Sequence, residues 1–273
     1  MTVTLYFIRH GQSVDNCKTS IWAGWKDSPL TNHGQRQAEA LGAAFASTPL
    51  TAIYSSTLKR AHSTAQALHA AQPSPKVDII TTPDLREQSF GIAEGKTHVY
   101  HGTLDVARGV FPVLRGRTER FPDGESRDDV RARGARVFSA ILMPHIVAAH
   151  GRPAEHTRIA VVSHGICIAE LLGAILARDP HARDYWFGGV QNTGFHTLEV
   201  GLRDEQLGVE DGLTDVSLDN APLRVVVKGI NNHEHLSTVP RAPGGLGSLA
   251  HDPGQSKITA YLSGNTKAID EEV

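Results

Sequence analysis

Val3-Thr-Leu-Tyr-Phe-Ile-Arg9-His10-Gly11-Gln12-Ser13 decides how the chain reads. Apolar, β-branched and aromatic residues predict a buried strand, which runs directly into a base, an imidazole and a glycine. The same figure returns twice. Ala52-Ile-Tyr54 leads into Ser55-Ser56-Thr57-Leu58-Lys59-Arg60, and Ile159-Ala-Val-Val162 leads into Ser163-His164-Gly165. Further short strands are predicted over 77–80, 195–200 and 223–227.

Helical periodicity fills the gaps. Ala38, Leu41, Gly42 and Phe45 share one face behind Thr31 as N-cap, and Leu58, Ala61, Ala65 and Leu68 do the same over 57–71. Ser126, with Asp129 three residues on, predicts a capping box opening a helix that Pro144 kinks or ends. The segment 166–177 is apolar almost all round, so its helix should be deeply buried. This alternation predicts an α/β fold of three layers, a mostly parallel central sheet with helices on both faces.

The 273 residues carry 27 Lys and Arg against 29 Asp and Glu, and 40% are hydrophobic. A chain of this length can bury about three quarters of its surface, enough for a core without disulfides. Near-zero net charge argues against bulk electrostatic binding of nucleic acid or an acidic membrane. Cys17 and Cys167 are too few for a thiolate zinc site or a disulfide framework, and both are read as small packing residues. No apolar run approaches the ~18 residues of a membrane span, and the first residues lack the basic region of a secretion signal. A cytoplasmic protein is expected.

Ligands of open α/β sheets bind beyond the carboxyl ends of the strands. If the three motif-bearing strands are parallel neighbours, Arg9, His10, Arg60 and His164 meet at one spot. Two guanidiniums offer forked donors that match phosphate oxygens, and helices starting behind each motif add N–H groups and positive dipole ends. Gly11 and Gly165 lack a Cβ, which lets backbone approach a ligand. One imidazole can attack phosphorus while the other donates to its oxygens. Other signatures fail. Neither cysteine has an arginine six residues on, and Gly91 to Thr97 is one residue short of a Walker loop and follows no strand. His233-Glu234-His235 lacks a third metal ligand at useful spacing, so no metal site is expected.

In order along the chain stand Arg9-His10-Gly11-Gln12-Ser13 with Asn16, then Asp27-Ser28-Pro29-Leu30-Thr31 followed by Gly34 and Gln37-Ala38. Ser55-x-x-Leu58-x-Arg60-Ala61-x-x-Thr64-Ala65 and Leu85-Arg86-Glu87 with Phe90-Gly91 and Glu94-Gly95 come next, then Gly124-Glu125-Ser126 and Val162-Ser163-His164-Gly165. Over about residues 3–200 this series resembles the histidine phosphatase superfamily in its phosphoglycerate-mutase-like branch. The resemblance implies a phosphoglycerate-mutase-like fold and chemistry that needs neither metal nor cofactor. His10 would attack phosphorus and become a phosphohistidine, while Arg9, Arg60 and His164 hold the phosphoryl oxygens. Ser13 and Asn16 would add neutral hydrogen bonds. Glu87 would protonate the leaving group and then activate water. Glu125 stays open as a rival acid, and Glu94 is read as structural.

The family holds both phosphatases and mutases. Its mutases carry Glu-Arg-His-Tyr-Gly at the acid motif, where this chain has Glu87-Gln88-Ser89-Phe90-Gly91, and an adjacent arginine pair where it has the spaced Arg115 and Arg117. These departures favour a phosphatase acting on a small phosphate ester, sugar phosphates among the candidates. A cofactor-dependent phosphoglycerate mutase and a non-catalytic phosphate-binding protein on the same fold remain the alternatives.

Two stretches stand outside the strand–helix rhythm. Over 96–121, Lys96, Arg108, Arg115, Arg117 and Arg120 face Asp105 and Glu119, a local charge of +3. That predicts a basic, lid-like insertion at about 96–123 over an anionic substrate, within a domain spanning 1–230. Residues 231–273, with Pro240, Pro243 and Pro253 and the run Gly244-Gly245-Leu246-Gly247-Ser248, predict an extension packing back on that domain.

Overall fold

The structure, a computed structural model, describes residues 2–18, 20–150, 156–182, 185, 187, 189–203, 221–240 and 245–254. Its strands are β1 (Val3–Arg9), β2 (Ala52–Ser56), β3 (Ile79–Thr82), β4 (His98–Val99), β5 (Phe111–Pro112), β6 (Arg158–Ser163), β7 (Phe195–Leu202) and β8 (Leu223–Asn232). Its helices are α1 (Asn32–Phe45), α2 (Lys59–Ala70), α3 (Arg127–Val137), α4 (Met143–Ala149) and α5 (Gly165–Leu176). The main sheet has the order β3-β2-β6-β1-β7-β8. β3, β2, β6 and β1 run parallel, and β7 pairs antiparallel with both β1 and β8. The three motif-bearing strands are thus adjacent. Arg9 pairs with Ser163 and Ser55 with Val162, so their polar ends leave the sheet side by side.

Period-two alternation sorts the strand side chains into two cores. Ile8, Ile53, Ala160 and Val162 turn to α1 and α2, where they meet Leu41, Phe45, Ala61, Ala65 and Leu68. Leu5, Phe7, Ile159 and Val161 turn the other way, to Leu171, Leu172 and Ile175 of α5 and Val130 and Val137 of α3. Each such side chain contributes about 1.5–3 kcal/mol over its exposed state. The helices therefore cover both faces, and the fold is the expected three-layer α/β arrangement.

The helix ends follow local chemistry. Thr31 Oγ1 accepts the Gly34 N–H at 2.9 Å, and Ser126 with Asp129 forms the reciprocal capping box. The helix read from Ser126 toward Pro144 leaves α-geometry earlier, at Phe138: Phe138–Leu142 forms a π-helical turn, and α4 resumes with Pro144 in its first turn. Pro144 has no N–H and its ring crowds the carbonyl four residues back, so a widened turn absorbs the misfit. Cys167 is buried on α5, whereas Cys17 is exposed and packs against no core.

In the insertion, β4 and β5 pair in parallel, and Phe111 and Phe121 pack with Phe90 and Ala93 against Trp22 and Ile166. Its charge is largely met by acids outside it. Arg117 reaches Asp128 at 2.9 Å and Glu170 at 2.7 Å, and Arg120 reaches Asp129 at 3.2 Å. Arg108 pairs with Asp105 at 3.6 Å, and Arg115 Nη2 donates to Tyr100 O at 3.2 Å. The field expected to face a ligand is therefore spent mostly on α3 and α5. β8 runs through the boundary expected at 230. Beyond it, the Asn32 N–H donates to Leu249 O at 3.0 Å and the His251 N–H to Leu30 O at 2.9 Å, so this stretch lies on the start of α1. Residues 241–244 and 255–273 of the expected extension lie outside the described residues. Among the described residues, no helix is long and apolar enough to cross a membrane.

Candidate active site

β1 ends at Arg9 and the chain turns against the first turn of α1. A Cβ on Gly11 would lie 2.5 Å from Gly34 O, and one on Gly34 would lie 2.0 Å from Gln12 O. Glycine is needed at both positions so that loop backbone and helix backbone can touch, a packing reason that stands beside the ligand approach expected of Gly11. Gly165 is uncrowded; the nearest atom to a Cβ there is Glu87 Oε2 at 3.9 Å. Gly34→Ala is expected to push α1 off the loop at a cost of about 3 kcal/mol, read as a lowered Tm. An unchanged melting curve would contradict this contact.

The loop fixes the state of His10. Its Nδ1 lies 2.7 Å from Gly11 O, and since a carbonyl only accepts, Nδ1 carries the proton and Nε2 keeps a lone pair. The Gly11 N–H donates to Thr64 Oγ1 at 3.0 Å, and Thr64 Oγ1 donates to Arg60 O at 2.7 Å, tying the loop to α2. The His164 ring lies 4.9 Å from that of His10, centroid to centroid, with Nε2 2.9 Å from Ser56 Oγ. Both rings are buried. Arg60 is 2% exposed and donates to Gly24 O and Lys26 O, each at 2.8 Å. Arg9 Nη1 donates to Val190 O at 2.7 Å. Arg9 Nε and His164 Nδ1 are buried without a partner among the described residues.

Glu87 completes the cluster. Its carboxylate lies across the start of α5, where Oε2 accepts the Ile166 N–H at 3.2 Å and Oε1 the Cys167 N–H at 3.0 Å. Glu125 is placed differently. It pairs with Arg133 at 2.9 Å and accepts the Ser89 N–H at 2.9 Å. Glu94 Oε1 accepts the N–H groups of Trp25 and Phe90, which pins the loop carrying the Arg60 partners.

Several positioning groups carried no role in the sequence reading. Arg133, 4% exposed, donates to the carbonyls of Asp84, Arg86 and Glu87 and so holds the segment bearing Glu87. Trp25 Nε1 donates to Glu87 O at 2.6 Å. Asn192 Nδ2 bridges His10 O at 3.0 Å and Asn16 Oδ1 at 3.2 Å. Asn16 Oδ1 also accepts the Ser13 N–H at 3.2 Å. The only signals for these residues were an arginine inside a helix and a polar turn before β7. His233 Nδ1 lies against Asn231 O, and His235 Nε2 against Thr193 Oγ1.

Burial, followed by the charges of Arg60 and Arg9, holds the His10 imidazole well below its ordinary 6.5. Burial and Arg60 do the same to His164. Outside the cluster, burial lowers His196 and His235 to about 4. All four stay neutral in the folded protein while the unfolded chain takes up protons below pH 6.5. Folding stability is therefore expected to fall as pH falls from about 6.5 toward 4. Calorimetry should find a lower Tm at about pH 5 than at about pH 7.5; a flat profile would mean these rings protonate in place.

Residues 5–208 match the sequence family described as histidine phosphatase superfamily (branch 1). A probable phosphoglycerate mutase of Proteus mirabilis is 31% identical over 222 residues, 79% of this chain and 97% of the relative. A probable phosphatase of Schizosaccharomyces pombe is 33% identical over 261 residues, 95% of this chain and 80% of the relative. The solved structure of a mycobacterial glucosyl-3-phosphoglycerate phosphatase matches with a TM-score of 0.62 at 25% identity, covering 83% of this chain and 98% of that one. Family match, fold and the order of its motifs agree: the chain belongs to the histidine phosphatase superfamily, branch 1.

Proposed function

We propose that the protein is a metal-independent phosphatase that hydrolyses small phosphate monoesters through a phosphohistidine on His10. The state of His10 carries this reading: a neutral ring with Nδ1 committed and Nε2 free, buried beside two guanidiniums. Nε2 attacks phosphorus and the ester P–O bond breaks. Arg9 and Arg60 offset the charge that spreads over the phosphoryl oxygens, the task a metal ion performs in other phosphoryl-transfer sites. Those oxygens also give Arg9 Nε and His164 Nδ1 the partners they lack. Ser13, Asn16 and the Gly11 and Gly165 backbone line the substrate. Glu87 passes a proton to the leaving oxygen and then takes one from the water that breaks the P–N bond, which restores His10. The insertion serves as the lid of this domain, and the segment after β8 as its extension.

Hydrolysis is favoured over mutase chemistry by where the neighbouring polar groups are spent. Gln88 is 2% exposed and donates its amide to Glu125 O at 2.6 Å. Arg117 is committed to Asp128 and Glu170, and the Arg115 guanidinium to Tyr100 O. A mutase must hold a second anionic group while its phosphohistidine waits, and Arg117, paired with two acids, is not free to join Arg115 in doing so. The names of several relatives favour the mutase alternative. An aryl phosphate and a panel of sugar and glycerate phosphates, assayed in EDTA, separate the readings. Phosphate release outpacing phosphoglycerate interconversion is expected. Interconversion outpacing release would establish the mutase, and binding without turnover of any ester would establish a binding protein.

A further inference from the structure

Beside the Arg9–Ser13 loop lies a second pocket, of about 380 Å³, lined by Arg9, Gln12, His33, Gln37, Leu236 and Val239 with the 191–192 turn. About a dozen waters would fill it. Leu236 and Val239 belong to the segment after β8, beyond the residues that match the family. The wall they build lies outside the residues that define the family.

The polar lining is one-sided. It contains the Arg9 cation and no Asp or Glu. Gln37 is 8% exposed, and its Oε1 accepts the Gln12 N–H at 2.9 Å. That bond fixes the amide, because a backbone N–H needs the oxygen. Nε2 of Gln37 is left with no partner among the described residues. Gln12 Oε1 is likewise engaged by Thr31 Oγ1 at 3.1 Å, which leaves its Nε2 unpartnered. The start of the 14-residue helix α1 adds the positive end of its dipole. An NH₂ on a pocket wall without a protein acceptor is open to a ligand that supplies one. Donors and one cation against two aliphatic side chains, with no carboxylate among the lining residues, fit an oxygen-rich anion.

We propose that this pocket is a second oxyanion site, taking a carboxylate or phosphate group beside the catalytic loop. The anion is either the second acidic group of the substrate, a case that rests on the phosphatase reading, or a free anion such as product phosphate.

The test blocks the His10 centre with a single equivalent of orthovanadate, titrates inorganic phosphate into the full chain and follows the side-chain amide resonances of Gln12 and Gln37. Saturable shifts at both are expected. Gln37→Glu keeps an acceptor for the Gln12 N–H but sets a negative charge where Nε2 stood, and should weaken this binding about tenfold or more at the Gln12 resonance. Val239→Glu, at a half-buried position, should weaken it similarly and covers the case of a Gln37 variant that does not fold. Kinetics separates the sources. If the anion is the substrate's own, the KM for a phosphoglycerate rises relative to that for an aryl phosphate in both variants. If it is free, phosphate inhibits wild-type turnover through a component that both variants lose. Amides that ignore phosphate in the vanadate-blocked protein overturn the site. A chain that neither binds vanadate nor turns over aryl phosphate overturns the phosphatase reading instead, while phosphate alone still reports on the amides.

Discussion

His10→Ala is expected to lower phosphate release from an aryl phosphate by about 10⁴-fold or more. The size follows from the absence of a substitute. His164 is the neighbouring imidazole, but its Nε2 is engaged by Ser56 Oγ and its ring is held at 0% exposure, so it cannot take the place of the His10 Nε2. The two guanidiniums would still bind a phosphate ester, so affinity should survive better than turnover. The fold should survive as well. The substitution removes one hydrogen bond, to Gly11 O, worth about 1 kcal/mol, and the loop remains tied by Thr64 and Asn192. Turnover is read in EDTA and folding by circular dichroism. A folded variant within about tenfold of wild type would remove His10 from the nucleophile's role.

Glu87→Gln is expected to divide substrates by leaving group. An alkoxide needs a proton as the P–O bond breaks, whereas a nitrophenolate does not. Alkyl phosphates should therefore lose about 10²–10³-fold in kcat, and aryl phosphates much less. The substitution also disturbs the start of α5, since a carboxamide offers one oxygen where the carboxylate serves the N–H groups of both Ile166 and Cys167. A small common loss of stability is expected from that. Equal kinetic losses on both substrate classes would make Glu87 a positioning group, acting through α5 and His164.

The parts of this picture legible in the sequence are those encoded by neighbours in the chain. The run Val3 to Ile8 specifies a buried strand by itself, and Thr31 and Ser126 announce their helices because their capping partners lie three residues on. Three strands ending alike sufficed to gather Arg9, His10, Arg60 and His164, given that β2, β6 and β1 are parallel neighbours. What could not be read depends on distant partners. Asn192 meets His10 across 182 residues, and Arg133 meets Glu87 across 46. The insertion shows the same limit in its charges. Its bases look like a field waiting for an anion until α3 and α5 bring Asp128, Asp129 and Glu170 to them. Pro144 announced a break, but the π-helical turn placed it one turn early. The walls of the second pocket are likewise visible only once Leu236 and Val239 fold back on α1.

The most direct measurement is to trap the covalent intermediate. The protein is mixed with a labelled aryl phosphate, quenched within milliseconds in alkali, digested and analysed by mass spectrometry under conditions that spare phosphoramidates. The prediction is an acid-labile, alkali-stable phosphate on the peptide containing His10, which appears before free phosphate and is absent in His10→Ala. Turnover without label on that peptide, or label on another residue, would contradict a phosphohistidine route through His10.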